Sequence, residues 1–444
     1  MAAPVSVVIL AAGLGTRMKS RKAKVLHRAG GMCLLEHVVE AALGLTTADH
    51  IVAVIGHQAE EVRKELTPRE IRFQVQTEQH GTGHALLQCA GVRGLESGRV
   101  LVLYGDCPLL RTETLQRLLD AHEASSPAAT LVTTVLEDAR GYGRIIMDSD
   151  GSVAAIVEEK AATAEQKKIR EINSGIYVFE ASELWHRLAT IPPNPASGEI
   201  YLTDMAEALR RDGLRVLPFR VDDPTDIIGI NNRVELAEVD AIFRQRKCRE
   251  LMLAGVTIEK PESVIIDSKV AVGADTVIEP YTRLLGRTTI GEDCRVRSFS
   301  VLEDAVLEDR AEIGPFARLR MNACVESGAH VGNFVELKKT RLGAGAKAMH
   351  LAYLGDSDIG EKVNIGAGTI TCNYDGRTKH PTKIGAGAFV GSNSTLVAPV
   401  EVGEGSYVAA GSVVTDAVPA DALAIARGRQ TNKEGWARRR REGK

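Results

Sequence analysis

A chain of 444 residues exceeds what one ordinary hydrophobic core organises, so two domains are expected, each with its own apolar interior. With 25 % charged residues and a formal net charge of only −3, no field of one sign is available to recruit nucleic acid or a membrane, and small-molecule partners are indicated. The seven cysteines are scattered, odd in number and without a C-x-x-C pair, and Met1 to Leu10 hold no basic, cleavable leader. Free thiols in a cytoplasmic protein are expected, with no membrane span.

Taken in chain order, the apolar runs Val5–Leu10, Ile51–Ile55, Val100–Tyr104, Thr130–Val135 and Ile176–Phe179 are short and rich in β-branched residues, as strands buried on both faces should be. They predict a largely parallel sheet. Between them Leu34–Leu45, His84–Leu95, Thr112–Ala124 and Leu202–Arg211 space apolar residues three and four apart, the pattern of amphipathic helices, so an α/β layered domain is expected over 1–231. From Asn232 to Ala254 the chain lacks Pro and Gly and stops at Gly255, which reads as one connecting helix over 232–254.

In 255–444 apolar residues recur at every sixth position. One series runs Ile266, Val272, Ile278, Leu284, Ile290, Val296 and Leu302; a second runs Leu307, Ile313, Leu319, Val325, Val331 and Leu337; a third runs Ile384, Val390, Leu396, Val402, Val408 and Val414. Half-buried strands of an ordinary sheet would show period two. Period six predicts triangular coils of about 18 residues with one aliphatic side chain per strand pointing inward, a parallel β-helix of hexapeptide repeats. The series breaks between Leu337 and Ile359, and again between Thr371 and Ile384, where Cys372 to Arg377 should leave the coil as a loop. Breaks in a repeat are where function is expected.

Leu10-Ala11-Ala12-Gly13-Leu14-Gly15-Thr16-Arg17-Met18 directly follows the first strand and is expected to open a helix, its small residues letting N–H groups approach a phosphate. Lys24 could place a cation against the same phosphates. Asp106 ends an apolar strand in Tyr104-Gly105-Asp106, at the sheet edge where α/β folds bind ligands. Metal binding and a capping or loop role are both open for an isolated carboxylate there.

These stretches, with Gln76 to Gln79, Gly81-Thr82-Gly83-His84, Gly141-Tyr142-Gly143-Arg144 and Asn231-Asn232-Arg233, closely resemble the sugar nucleotidylyltransferases. With hexapeptide repeats following, the chain resembles the bifunctional N-acetylglucosamine-1-phosphate uridylyltransferase/glucosamine-1-phosphate N-acetyltransferases. The resemblance covers nearly the whole chain. It implies a Rossmann-like nucleotidyltransferase domain, a linker helix and a left-handed β-helix, and a cytoplasmic homotrimer supplying peptidoglycan and lipopolysaccharide synthesis.

By the same resemblance, acetyl-CoA acetylates glucosamine-1-phosphate, and UTP then reacts with N-acetylglucosamine-1-phosphate to release pyrophosphate, with Mg²⁺ held by Asp106 and Asn231. Leu10, Ala11, Ala12, Gly13, Gln76, Gly81, Thr82, Tyr104 and Gly105 would cradle the nucleotide; Gly143, Glu158 and Asn173 would bind the sugar; Arg17 and Lys24 would steady the triphosphate. Charge neutralisation and alignment matter more in such a transfer than a general base. Ala23 stands where the family usually has Pro, which removes a φ restraint just before Lys24.

His350 lies inside the first break, in Lys347 to Gly355. A lone histidine is more often structural than catalytic, yet Asn364 and Asn373-Tyr374 stand near it in sequence and match the same family. The match makes His350 the general base of acetyl transfer, oriented by Glu336. Arg320, Lys338, Tyr353 and Asn364 would then hold the sugar phosphate, and Ala367, Asn373, Tyr374, Ser392, Ala410 and Arg427 would line the acetyl-CoA groove. Two departures from the family are Met321-Asn322 in place of Pro-Gly and a stretch from Cys294 to Ile313 about one coil short. The basic tail Arg438 to Arg441 reads as a solvated, frayed end. The alternatives are a monofunctional nucleotidylyltransferase with a regulatory β-helix, and a non-catalytic scaffold built from both folds; the co-occurrence of both sets of site residues argues against each.

Overall fold

The computed structural model describes residues 4–195 and 197–443, so positions 1–3, 196 and 444 of the expected domains lie outside the described residues. The chain forms two compact units, Met1–Phe243 and Arg244–Lys444.

The strands of the first unit are β1 (Val5–Leu10), β2 (Ile51–Ile55), β3 (Arg72–Val75), β4 (Arg99–Tyr104), β5 (Ala129–Val135), β6 (Arg144–Met147), β7 (Val153–Val157), β8 (Glu171–Glu180) and β9 (Val216–Arg220). They form one sheet in the order β9-β5-β8-β4-β1-β2-β3, with the β6–β7 hairpin attached to β8. Five of the strands match the expected apolar runs. The run Ile176–Phe179 is the end of a longer strand, β8, which lies antiparallel to both β4 and β5. The other pairings along this order are parallel.

Helices α1 (Leu34–Leu43), α2 (Ala59–Leu66), α3 (Thr82–Leu87), α4 (Thr112–Ser125), α5 (Ala181–Leu188) and α6 (Asp204–Arg211) cover the sheet. Val7 and Ile9 of β1 pack into one cluster with α1, α2 and α4, while Val8 and Leu10 pack into the other with α3, α5 and α6. Helices on both faces are why these strands read as continuous apolar runs. The helix expected over His84–Leu95 is a correction: α3 ends at Leu87, and Gly91 (φ +76°) and Gly94 (φ +90°) take the left-handed conformation that a helix cannot continue through.

Helix α7 (Arg233–Leu253) follows. Leu236, Val239, Ile242 and Phe243 pack with Met18, Leu34 and Leu109 in the first unit, and Phe243 stacks on His37 at 4.1 Å. Cys248 and Leu251 join the interior of the second unit.

That second unit winds three parallel sheets of ten, nine and eight short strands among the described residues, the parallel β-helix that the hexapeptide period predicts, left-handed as the family resemblance implies. The strands Val277–Ile278, Arg295–Val296 and Glu312–Ile313 stack in register, one per coil, with Ile278, Val296 and Ile313 all buried. At about 4.8 Å per strand, a ten-stranded sheet extends roughly 40 Å.

The expected break after Leu337 is corrected. Leu342, Ala348 and Leu354 continue the buried column to Ile359, because two steps shorten to five residues at corners and a small alanine takes one inward place. The break after Thr371 is a true loop, between the strands Ile370–Cys372 and Thr382–Ile384. All seven cysteines are free thiols. The basic tail is not extended: Trp436–Arg441 forms a short, exposed helix.

Candidate active sites

The first site lies at the carboxyl ends of β1 and β4. Gly15 is left-handed (φ +61°), and a Cβ there would come within 2.6 Å of the Lys24 Cβ, so glycine is what lets the Lys24 turn pass under the loop. The helix expected after this loop is only a single turn, Thr16–Met18, closed on both sides by the left-handed Gly15 and Lys19. Such a turn has no useful macrodipole. Any capacity to hold an anion there lies in the loop N–H groups and the cations.

Four expected residues meet here. The Lys24 ammonium pairs with Asp106 Oδ2 and lies 3.4 Å from Asn231 Oδ1, and Arg17 donates to the same Asn231 oxygen at 2.7 Å. Arg17, Asp106 and Asn231 line a cavity of about 280 Å³ with Tyr104, Tyr142 and Glu235. Two oxygens converging on one cation suit a hard divalent ion that takes its remaining ligands from phosphates and water, so Asp106 and Asn231 fit Mg²⁺.

Glu235 was not legible as a site residue, although its spacing is a capping-box signal. Asn232 accepts from the N–H groups of Val234 (2.9 Å) and Glu235 (3.0 Å) to start α7, and Glu235 Oε2 accepts from Asn231 N–H at 2.6 Å. The cap of α7 thus presents Asn231 to Asp106.

Ala23 keeps a proline-like geometry (φ −53°, ψ 139°), and its N–H, which proline would lack, donates to Gln58 Oε1 at 2.6 Å. A hydrogen bond restrains the Lys24 turn where the family's ring would do so covalently. A larger groove of about 700 Å³ between Arg21, Gln58 and Lys64 contains none of the expected site residues.

Around the nucleotide loop, Ala11 N–H is tied to Val54 C=O at 2.8 Å, and buried Gln76 donates to Gly81 C=O at 3.2 Å. Gly81 (φ +96°) closes against the backbone of Ile200, and Thr82 accepts from Leu202 N–H at 3.0 Å. Gly143, Glu158 and Asn173 come together: a Cβ on Gly143 would lie 3.5 Å from Glu158 Oε1 and 3.7 Å from Asn173 Cβ. Burial, and then the nearby Asp204 carboxylate, hold the Glu158 carboxyl above its ordinary value.

The second site lies on successive coils of the β-helix. Arg320, Lys338 and Gly355 are register partners in one sheet, and Glu336 pairs with Tyr353. His350 ends the strand Lys347–His350, opposite Asn333, and Asn364 lies one coil on, opposite Lys347. The imidazole is exposed and makes no hydrogen bond among the described residues. Glu336, expected to orient it, makes no hydrogen bond to it among the described residues; its Oε1 accepts from Arg320 Nε at 2.7 Å, a cation one coil away in the same sheet. Met321 and Asn322 are both left-handed, so the corner beside Arg320 is made without Pro-Gly.

Lys338 and Asn373 meet on a residue that no motif indicated. Asp356 Oδ2 accepts from Lys338 Nζ at 2.7 Å and from Asn373 Nδ2 at 2.5 Å. Burial raises the Asp356 carboxyl, but these two donors outweigh it and hold it below the usual carboxylate range. Gly355 makes room for the cluster, since a Cβ there would lie 2.6 Å from the Tyr353 hydroxyl and 2.7 Å from Asn373 Nδ2.

Ala367, Ser392 and Ala410 occupy one corner on successive coils, linked by Asn393 N–H to Ala367 C=O (2.7 Å) and Gly411 N–H to Ser392 C=O (2.8 Å). Tyr374 is exposed on the loop, its hydroxyl donating to Gly376 C=O at 2.8 Å. Arg427 lies exposed beyond the last strand of the β-helix, Leu423–Ala424.

The α/β sheet with a glycine loop and paired acid and cations, and the hexapeptide β-helix, together define a two-domain transferase. A MobA-like NTP transferase domain matches residues 7–211, and six bacterial transferase hexapeptide repeats match residues 381–416. Proteins named bifunctional protein GlmU resemble the chain throughout. The one from Solibacter usitatus (strain Ellin6076) is 56 % identical over 461 residues, covering 100 % of this chain and 98 % of its own length. That from Koribacter versatilis (strain Ellin345) is 48 % identical, covering 98 % and 97 %; that from Geobacillus sp. (strain WCH70) is 44 % identical, covering 97 % of each. The chain belongs to the bifunctional GlmU family and is a uridylyltransferase and an acetyltransferase of UDP-N-acetylglucosamine synthesis.

Proposed function

We propose that uridylyl transfer occurs at the Arg17–Lys24–Asp106–Asn231 cluster and acetyl transfer at the His350 coils, each within its own domain. The observation that carries the first assignment is the convergence of two cations and two oxygen donors at the carboxyl ends of β1 and β4. As UTP enters, its phosphates take over the Lys24 and Arg17 cations, and Asp106 and Asn231 are released. Mg²⁺ bound by these two residues would supply charge neutralisation. Lys24 and Arg17 hold the triphosphate while the sugar phosphate oxygen attacks the α-phosphorus and pyrophosphate leaves. Gly143, Glu158 and Asn173 orient the sugar, and Gln76, Gly81 and Thr82 line the nucleotide side.

In the second site Arg320 and Lys338 take the sugar phosphate, with Tyr353 and Asn364 beside it. His350 accepts the proton as the 2-amino nitrogen attacks the thioester carbonyl; the new C–N bond forms, the C–S bond breaks, and the coenzyme A thiolate leaves. The exposed, unpartnered imidazole is available for this. Ala367, Asn373, Tyr374, Ser392, Ala410 and Arg427 line the acetyl-CoA side.

A convex prism cannot enclose a substrate, and ligand sites are concave. A homotrimer in which neighbouring rods wall the groove completes the site, and a cytoplasmic location suits the free thiols. The purified protein, incubated with glucosamine-1-phosphate, acetyl-CoA, UTP and Mg²⁺, should yield UDP-N-acetylglucosamine by mass. Omitting acetyl-CoA should stop the sequence at its start, and sedimentation as a monomer at micromolar concentration would refute the trimer.

A further inference from the structure

Asp356 occupies a left-handed corner (φ +49°) on the coil next to the one from which the loop between Cys372 and Thr382 departs. Its side chain is only 11 % exposed and has Lys338, itself 3 % exposed, against it. Both ends of the loop are fastened to this one residue. At the exit Asn373 Nδ2 donates to the carboxylate at 2.5 Å; at the return Thr382 N–H donates to the Asp356 carbonyl at 3.2 Å. One coil earlier, Lys338 Nζ lies 2.7 Å from the same carboxylate oxygen, and the Asp356 N–H donates to the Lys338 carbonyl at 2.9 Å.

We propose that Asp356 is a positioning residue that couples the two halves of the acetyltransferase site, fixing the Lys338 ammonium for the sugar phosphate and clamping the loop that presents Asn373 and Tyr374 to acetyl-CoA. The inference rests on the substrate assignments proposed above. A buried ammonium needs a fixed counter-charge to keep its direction, and a loop held at both ends by one residue moves when that residue does. The two substrates should therefore respond together to a change at this single position.

The test uses the full-length enzyme with Asp356→Asn, which keeps shape and removes the charge. The KM values for glucosamine-1-phosphate and acetyl-CoA should both rise about tenfold, as loss of a charge-assisted hydrogen bond implies. The acetylation kcat should stay within a few-fold of wild type and uridylyl transfer should be unchanged. Asp358→Asn, whose carboxylate pairs with Arg341 one coil away, should leave both constants alone. Should Asp356→Asn fold poorly, Asn373→Asp sets a second carboxylate against the first and should raise both KM values in the same way.

A rise in one KM alone, or in neither, in folded protein overturns the coupling. The underlying assignments are tested separately by Lys338→Met and Asn373→Ala. If these leave the KM for the sugar phosphate and for acetyl-CoA, respectively, at wild-type values, the assignments fail. If each raises its own KM while Asp356→Asn raises neither, only the coupling fails.

Discussion

In the α/β unit Arg17, Lys24, Asp106 and Asn231 satisfy one another inside a crevice, whereas on the β-helix His350 projects from the outside of a prism with no hydrogen-bond partner among the described residues. The first arrangement is preorganised: opposite charges fix one another before any ligand binds. The second is a row of groups delivered by a repeat, with Arg320, Lys338 and Tyr353 placed by coil register and His350 left open to solvent. A crevice brings its own walls. A repeat surface supplies groups at fixed spacing without walls of its own, which is where the proposed trimer and the loop pinned at Asp356 would act.

The largest effect that sharpens this contrast is expected from His350→Ala. Acetylation per folded molecule should fall about 10²–10⁴-fold with the KM for acetyl-CoA little changed, while uridylyl transfer persists. A loss within a few-fold of wild type would retire the histidine as base and leave the β-helix site without its reactive group. Asp106→Asn is the mirror experiment. Uridylyl transfer should drop roughly 10²–10³-fold with acetylation intact; equal loss of both would indicate misfolding and erase the independence of the two sites.

A smaller effect probes preorganisation itself. Gln58→Leu removes the acceptor for Ala23 N–H and should slow uridylyl transfer about tenfold, in line with one hydrogen bond left unmade. Adding Ala23→Pro should restore the rate, because φ is already −53° and proline has no N–H to satisfy. Failure of that rescue would show that the turn is not what places Lys24.

The smallest expected change is at Glu158. Its folded-state pKa is raised by burial and by Asp204, so its contribution to stability is full below the ordinary glutamate value and is lost as pH rises through the folded value. Glu158→Gln should raise Tm at neutral pH by about 1–2 °C, with the gain vanishing in acid. Sugar binding should weaken in the same variant, and a stability cost carried for function predicts these opposite signs.

The parts of this molecule legible in the sequence are those set by local periodicity. β1, β2 and β4 could be found because strands covered on both faces are uninterrupted apolar runs. The edge strands β3 and β9 could not, since half-exposed strands mix Arg, Gln and Pro into the pattern. Nothing in composition encodes strand direction, so the antiparallel β8 was invisible. The β-helix was legible almost coil by coil, but its interruption after Leu337 was overestimated. A residue lost at a corner shifts the count without moving the next side chain out of the core, as Leu342 and Leu354 show.

Asp106, Lys24, Asn231 and His350 could be picked out by motif, because each lies in a stretch whose neighbours share its purpose. Glu235 and Asp356 are isolated acids in sequence and acquire meaning only through what they touch. The 18-residue separation of Lys338 and Asp356, one coil, was the sole available signal. The sequence by itself determined the two architectures and the chemical inventory, since hydrophobic period and small-residue loops act over a few residues. Only the tertiary structure decided which charges neutralise which, as in the pairing of Glu336 with Arg320. Pairing depends on distances of about 3 Å between residues brought together by coil and sheet register, a length that no one-dimensional pattern contains.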